Sequence, residues 1–241
     1  MEARMNPRPK KTSRMIEWAV LLTVPAVLVL AALFEIAQAA LITFLVAILA
    51  MVPFFLQFER AKPRPREIMP IVVMASLATA GQLVFGPAIN FKPIGAIMIV
   101  TGIAFGRQAG FVTGALTALS SNMFFGQGPW TPWQMFTWGL VGYLAGALNE
   151  RGWFRHRILV YLFGFLSGLL FGLIMDSWHI IGFIQPLTWK NALAAYGAGL
   201  PMNLTLSIAT VLFLLPILRP WTLKLSRVKR KFGLYQENQE D

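Results

Sequence analysis

The sequence predicts an all-α integral membrane protein, on three observations: an apolar composition, apolar runs of membrane-spanning length, and basic residues confined to alternate connections. Of the 241 residues, 56% are hydrophobic and 13% charged, and the mean hydropathy is +0.62. A soluble domain of that length has no use for so much apolar surface. The apolar runs number eight by count. With the N-terminus inside, all of the 21 Lys and Arg residues except Lys92 and Lys190 fall on inner segments. That bias is the mark of cytoplasmic loops and sets both termini in the cytoplasm. The net charge of +11 therefore points to an anionic membrane surface and not to nucleic acid.

Residues 1–15 form a basic tail, and Ile16–Phe34 is the first span. Ala37-Gln38-Ala39 has the look of a signal-peptide cleavage site, but the apolar run is too long for a signal and a second begins at Leu41, which favours a retained helix. Leu41–Phe58 is the second span. The linker Glu59–Glu67, with four basic residues and two prolines, is the clearest boundary in the chain, dividing the helix pair of 1–67 from a domain at 68–218. Ile68–Phe85, the short Ile94–Phe105, Ala109–Phe125, a span ending at Leu148, Ile158–Ile184 and Ala192–Leu218 follow, and 219–241 is a basic cytoplasmic tail. At about 12 residues, Ile94–Phe105 falls short of the roughly 20 that cross a bilayer, and so leans on its neighbours or ends at a water-filled recess.

Glycine and alanine recur at every fourth position: Gly102, Gly106, Gly110, Gly114 and Ala118; Gly142 and Gly146; Gly164, Gly168 and Gly172. Such ridges let helix backbones approach closely in lipid. They serve either close packing within one bundle or the docking of a partner, for which Ser76, Ala80 and Gly81 are the candidates.

Chemistry is concentrated in Ser120–Trp138, which carries amides, three tryptophans and two prolines but no charge. Gly126-Gln127-Gly128-Pro129 and Thr131-Pro132 break helices, and indoles suit a membrane–water boundary. The stretch is expected to form an aromatic-walled mouth at the outer face, beside 86–93 and 185–191. Asp176 with His179 three residues on, and Asn203 after Pro201, place further polar groups within spans, where they are costly and therefore functional candidates. The candidate solute-binding residues are Asn90, Asn122, Gln127, Trp130, Trp133, Gln134, Asp176, His179 and Asn203. No Cys and two His leave little material for a metal site, and no cofactor is implied. Hydrolase, metalloprotease and nucleotide-binding signatures are missing, so an enzyme is not expected.

The segment FKPIGAIMIVTGIAFGRQAGFVTGALTALSSNMFFGQGPWTPWQMFTWGLVGYLAGAL resembles the central part of the substrate-binding S components of energy-coupling-factor (ECF) transporters, over roughly 68–218. FFGQGPWTPWQM is its most specific piece, and it is most similar to the branch associated with cobalamin and vitamin precursors. The resemblance implies a six-helix capture module for a vitamin-like solute. Such a module works with a coupling subunit and two ATPases, docking through a small-residue face that maps to Ser76 and Ala80. The extra helix pair departs from that pattern. Two other readings stay open from the residues: an ion-coupled carrier using Asp176, and a membrane assembly protein without transport.

Overall fold

The computed structural model describes residues 39–60 and 63–234; the expected first span, Ile16–Phe34, lies outside them. Among the described residues seven α-helices follow one another: α1 (Ala39–Arg60), α2 (Pro65–Val84), α3 (Ile94–Phe105), α4 (Arg107–Phe125), α5 (Thr131–Glu150), α6 (Arg157–Phe183) and α7 (Trp189–Lys231). A single 3₁₀ turn, Trp153–Arg155, joins α5 to α6, and no strand occurs among the described residues. Among the described residues three helices, α2, α6 and α7, are long and apolar enough to cross a membrane by length and composition.

The short α3 is apolar all round, and a helix of that kind belongs in the interior. Every residue from Ile94 to Gly102 is buried, and Ala96, Met98, Ile99 and Val100 have no exposed surface. It packs between α5 and α7, with α2, α4 and α6 also against it. α3 and α4 are separate helices because Gly106 adopts φ 93°, a left-handed backbone open to glycine and strained for other residues. Helices α4 and α5 share the largest interface. The glycine ridges lie in it: a Cβ on Gly110 would meet the Gly142 carbonyl, one on Gly114 the Trp138 carbonyl, and one on Gly146 the backbone of Arg107. Gly164, Gly168 and Gly172 do the same for α6 against α7, facing Leu214, Ser207 and Asn203. These ridges pack the bundle's own helices.

Hydroxyls enter this apolar interior already satisfied. Thr101, Thr113, Thr117, Thr137 and Thr210 each donate to the carbonyl four residues back, at 2.7 to 2.9 Å. α1 lies on α4, α5 and α6. Its Phe54 stacks on Phe111 at 4.1 Å and meets Tyr143 edge-on at 5.2 Å, so it shares a core with Trp133, Phe136 and Trp178.

Two ends of the bundle differ in chemistry. Asn149 Nδ2 donates to the Ile103 carbonyl at 3.2 Å and Lys229 Nζ to that of Ala104 at 3.4 Å, which gathers the close of α3, the close of α5 and the far part of α7 at a basic end. The opposite, polar end holds the 86–93 loop, the break after α4 and the start of α7, with Asn90 Nδ2 donating to the Met202 carbonyl at 3.4 Å. α7 does not stop at Leu218 as expected. It runs on to Lys231 through Pro216 and Pro220, because Trp221 and Leu225 continue its apolar stripe onto the core and Leu234 is buried beyond its end.

The glycine seam sets a testable asymmetry. Gly142→Ala overpacks backbone against backbone and is expected to cost about 1–3 kcal/mol or more. Gly197→Ala, on α7 with open space where its Cβ would go, should stabilise by about 0.5–1 kcal/mol. Thermal melting of the two detergent-purified variants checks the pair.

Candidate functional site

The polar end is built on a helix break of five residues. α4 ends at Phe125 because Gly126 takes φ 105°, and α5 starts at Thr131 with Pro132 in its first turn. Thr131-Pro132 thus begins a helix, where the sequence reading takes it for a breaker; a proline in the first turn sacrifices no intrahelical hydrogen bond.

Thr131 organises the break. Its hydroxyl donates to Gln127 Oε1 at 2.9 Å and accepts from the Gly128 amide at 3.2 Å and from Asn122 Nδ2 at 3.1 Å. Asn122 Nδ2 also donates to Gln134 Oε1 at 2.8 Å, and Gln127 Nε2 to the Leu119 carbonyl at 3.1 Å. Three of the sequence-selected amides therefore form one network, joined through a threonine that the sequence reading passed over. The network uses the Asn122 NH₂ and the Gln134 carbonyl. The Asn122 Oδ1 acceptor and the Gln134 NH₂ donor have no partner among the described residues.

The tryptophans divide. Trp130 is 36% exposed and folds back over Gly128. Trp133 is wholly buried, with its Nε1 proton unpartnered, so it is an inner wall and not part of a rim. Trp138 stacks on Phe171 at 4.3 Å inside the core. Trp178 is also buried with an unpartnered Nε1 proton, and Trp189 is exposed. Helical phase explains the difference: Trp133 faces Phe111 and Phe136, whereas Trp130 precedes the helix.

A second polar group lies on α6 and α7. Asp176 accepts from Asn203 Nδ2 at 2.7 Å, and Gly199, one turn before Asn203, leaves room for the carboxylate. Asn90, at φ 55°, reaches the residue next to Asn203. Asn90, Asp176 and Asn203 are thus gathered. His179 is not brought to Asp176; it is exposed and its ring stacks on Phe183 at 5.7 Å. Lys92, on the 86–93 loop, lies 4.9 Å over the Phe125 ring, and burial holds its ammonium below the ordinary lysine pKa. Of the candidate docking residues, Ser76 and Ala80 lie on an exposed stripe of α2 with Met69, Val72, Val73 and Leu77. Gly81 instead gives room to Pro93, whose Cγ would be 2.6 Å from a Cβ there.

At the basic end, Arg107 begins α4 and is buried, where the sequence reading takes it for a loop charge. Its Nε donates to Glu150 Oε2 at 2.8 Å, a second guanidinium nitrogen meets the same oxygen, and the Tyr143 hydroxyl accepts at 3.5 Å. This pair ties the start of α4 to the end of α5. Nothing in the sequence marks two residues 43 apart as partners.

A family model described as the ECF-type riboflavin transporter S component matches residues 64–223. That is more than half of the chain, and the chain belongs to this family of substrate-binding membrane subunits, which are not enzymes. The match supports an ECF S component and does not support the cobalamin branch specifically. No curated protein and no solved structure matches the chain.

Removing one partner of a buried pair strands the other. Glu150→Ala is expected to destabilise by on the order of 2–3 kcal/mol, and Glu150→Ala combined with Arg107→Leu by less than that. Melting temperatures of the single and double variants measure the difference.

Proposed function

We propose that the chain is the solute-capturing subunit of an ATP-driven ECF importer, with its polar end outward and both termini in the cytoplasm, and that its solute is a flavin. The observation that carries the ligand class is the donor–acceptor pair at the helix break that has no protein partner among the described residues. Asn122 Oδ1 and Gln134 Nε2 offer one acceptor and one donor on neighbouring side chains. An imide edge, such as that of the pyrimidinedione ring of a flavin, presents a complementary N–H and C=O. The network itself carries no charge, which suits the neutral imide edge of such a ring. Trp130 supplies an aromatic face for a flat ring, Trp133 backs the wall, and Gln127 holds the break in shape. Asn90, Asp176 and Asn203 form the opposite side, with His179 beyond it, and would hydrogen-bond a polyol chain. The family description names riboflavin, which agrees with this chemistry. A corrinoid, the solute of the branch that the sequence resembles, is far larger than one imide edge and one indole face address.

The energy for uphill transport comes, in this reading, from a coupling subunit and two ATPases docked on the stripe of α2 centred on Ser76 and Ala80. Small residues there let a partner helix approach its backbone, and the flanking valines and leucine supply the dispersion contacts. Gly81 sets the position of the stripe through its contact with Pro93.

Riboflavin binding to the purified chain, followed by flavin fluorescence quenching, tests the solute site. Gln134→Ala and Trp130→Ala are each expected to weaken binding about tenfold, or about 1.4 kcal/mol, with unchanged melting temperature. Binding unaffected by either removes the break from the mechanism, and stronger competition by cobalamin than by riboflavin returns the chain to the corrinoid branch. For docking, Ala80→Trp should abolish co-purification with the coupling subunit while riboflavin still binds; retained co-purification moves the interface elsewhere.

A further inference from the structure

A cleft of about 420 Å³ opens at the basic end, away from the solute site, between the 3₁₀ turn, the start of α6 and the far part of α7. Arg155, Arg157 and Arg219 line it from these three separate elements. All three are exposed, and no carboxylate pairs with any of them among the described residues. The nearby acid, Glu150, is committed to Arg107. Like charges converging on one recess repel each other unless an anion sits between them. The rest of the lining is mostly apolar, with Phe154, Val160 and Leu218 among it, and includes the polar side chains of Asn149 and Thr222. Beside the cleft, Trp153 is 61% exposed, as suits an indole at the level of lipid headgroups.

We propose that this cleft binds the phosphate of an anionic phospholipid headgroup, held by the three guanidiniums while the apolar wall receives the start of an acyl chain. Guanidinium forks match phosphate oxygens in pairs, and basic pockets between transmembrane helices at the cytoplasmic side are suited to such headgroups. The amphiphilic lining favours a lipid over a free phosphate ion, which would use the arginines and leave the apolar wall wet. The first turn of α6, which has no side-chain cap, adds the positive end of a helix at Arg157. The site stands independently of which solute the polar end captures.

The test uses the full chain in mixed micelles of phosphatidylcholine with or without phosphatidylglycerol, read by native mass spectrometry for retained lipid and by melting temperature. Phosphatidylglycerol is expected to be retained in preference to phosphatidylcholine and to raise the melting temperature. The triple variant Arg155→Gln, Arg157→Gln, Arg219→Gln should lose about tenfold or more in phosphatidylglycerol affinity. A second triple variant, Lys224→Gln, Arg227→Gln, Arg230→Gln, removes the same charge from exposed positions outside the cleft and should lose much less. Equal losses in the two variants would overturn the site in favour of diffuse surface attraction. Inorganic phosphate alone should leave the melting temperature unchanged; a shift as large as that from phosphatidylglycerol would overturn the lipid as occupant and assign the cleft to a free anion.

Discussion

The close approach of α4 and α5 is the constraint that the rest of the bundle depends on. Gly110, Gly114, Gly142 and Gly146 bring carbonyls of one helix to where the other would carry Cβ atoms. In lipid no hydrophobic force drives helices together, so shape fit of this kind carries the association. Holding the two helices in register fixes both of their ends. At one end the start of α4 meets the end of α5, which places Arg107 against Glu150. At the other, the chain must cross between them in five residues, which folds Gln127, Thr131 and Asn122 into one another. The amide network and the ion pair are thus two outcomes of one packing decision.

Much of this was legible in the sequence because membrane burial leaves a coarse, one-dimensional trace. The helices from α2 to α6, the shortness of α3, the break after Phe125 and the regular spacing of the glycine ridges follow from length, composition and spacing. What was hidden depends on phase and on distance. Trp130 and Trp133 look alike in a motif, yet three positions separate a half-exposed ring from one with no exposed surface. The Arg107–Glu150 pair and the Asp176–Asn203 bond join residues whose partnership only the folded bundle defines. The overrun of α7 past Leu218 was masked by its prolines, which read as stops but are carried within the helix because flanking residues are held against the core.

Charge is distributed with economy between the two ends. The helix break at the polar end carries amides, a hydroxyl and an indole, groups that discriminate by geometry, with Lys92 and Asp176 as the charges at the same end. The basic end concentrates guanidiniums, one neutralised by Glu150 and three around a cleft with no carboxylate partner among the described residues. If, as proposed, the helix break takes a neutral solute and the basic cleft an anionic headgroup, salt will weaken lipid binding and leave solute binding largely untouched, since screening acts on exposed charge pairs more than on hydrogen bonds to an uncharged ligand.

The length of α7 has a mechanical consequence. Its 43 residues span about 65 Å, against a hydrocarbon core of roughly 30 Å. Both halves are tied: in the first, Asn90 Nδ2 donates to the Met202 carbonyl, and beyond the last turn Leu234 is buried in the core. A rod pinned in this way cannot answer a thicker or thinner bilayer by sliding. The mismatch falls on the surrounding lipid or on the three prolines within the rod, so membrane thickness becomes a quantity that this helix resists and does not follow.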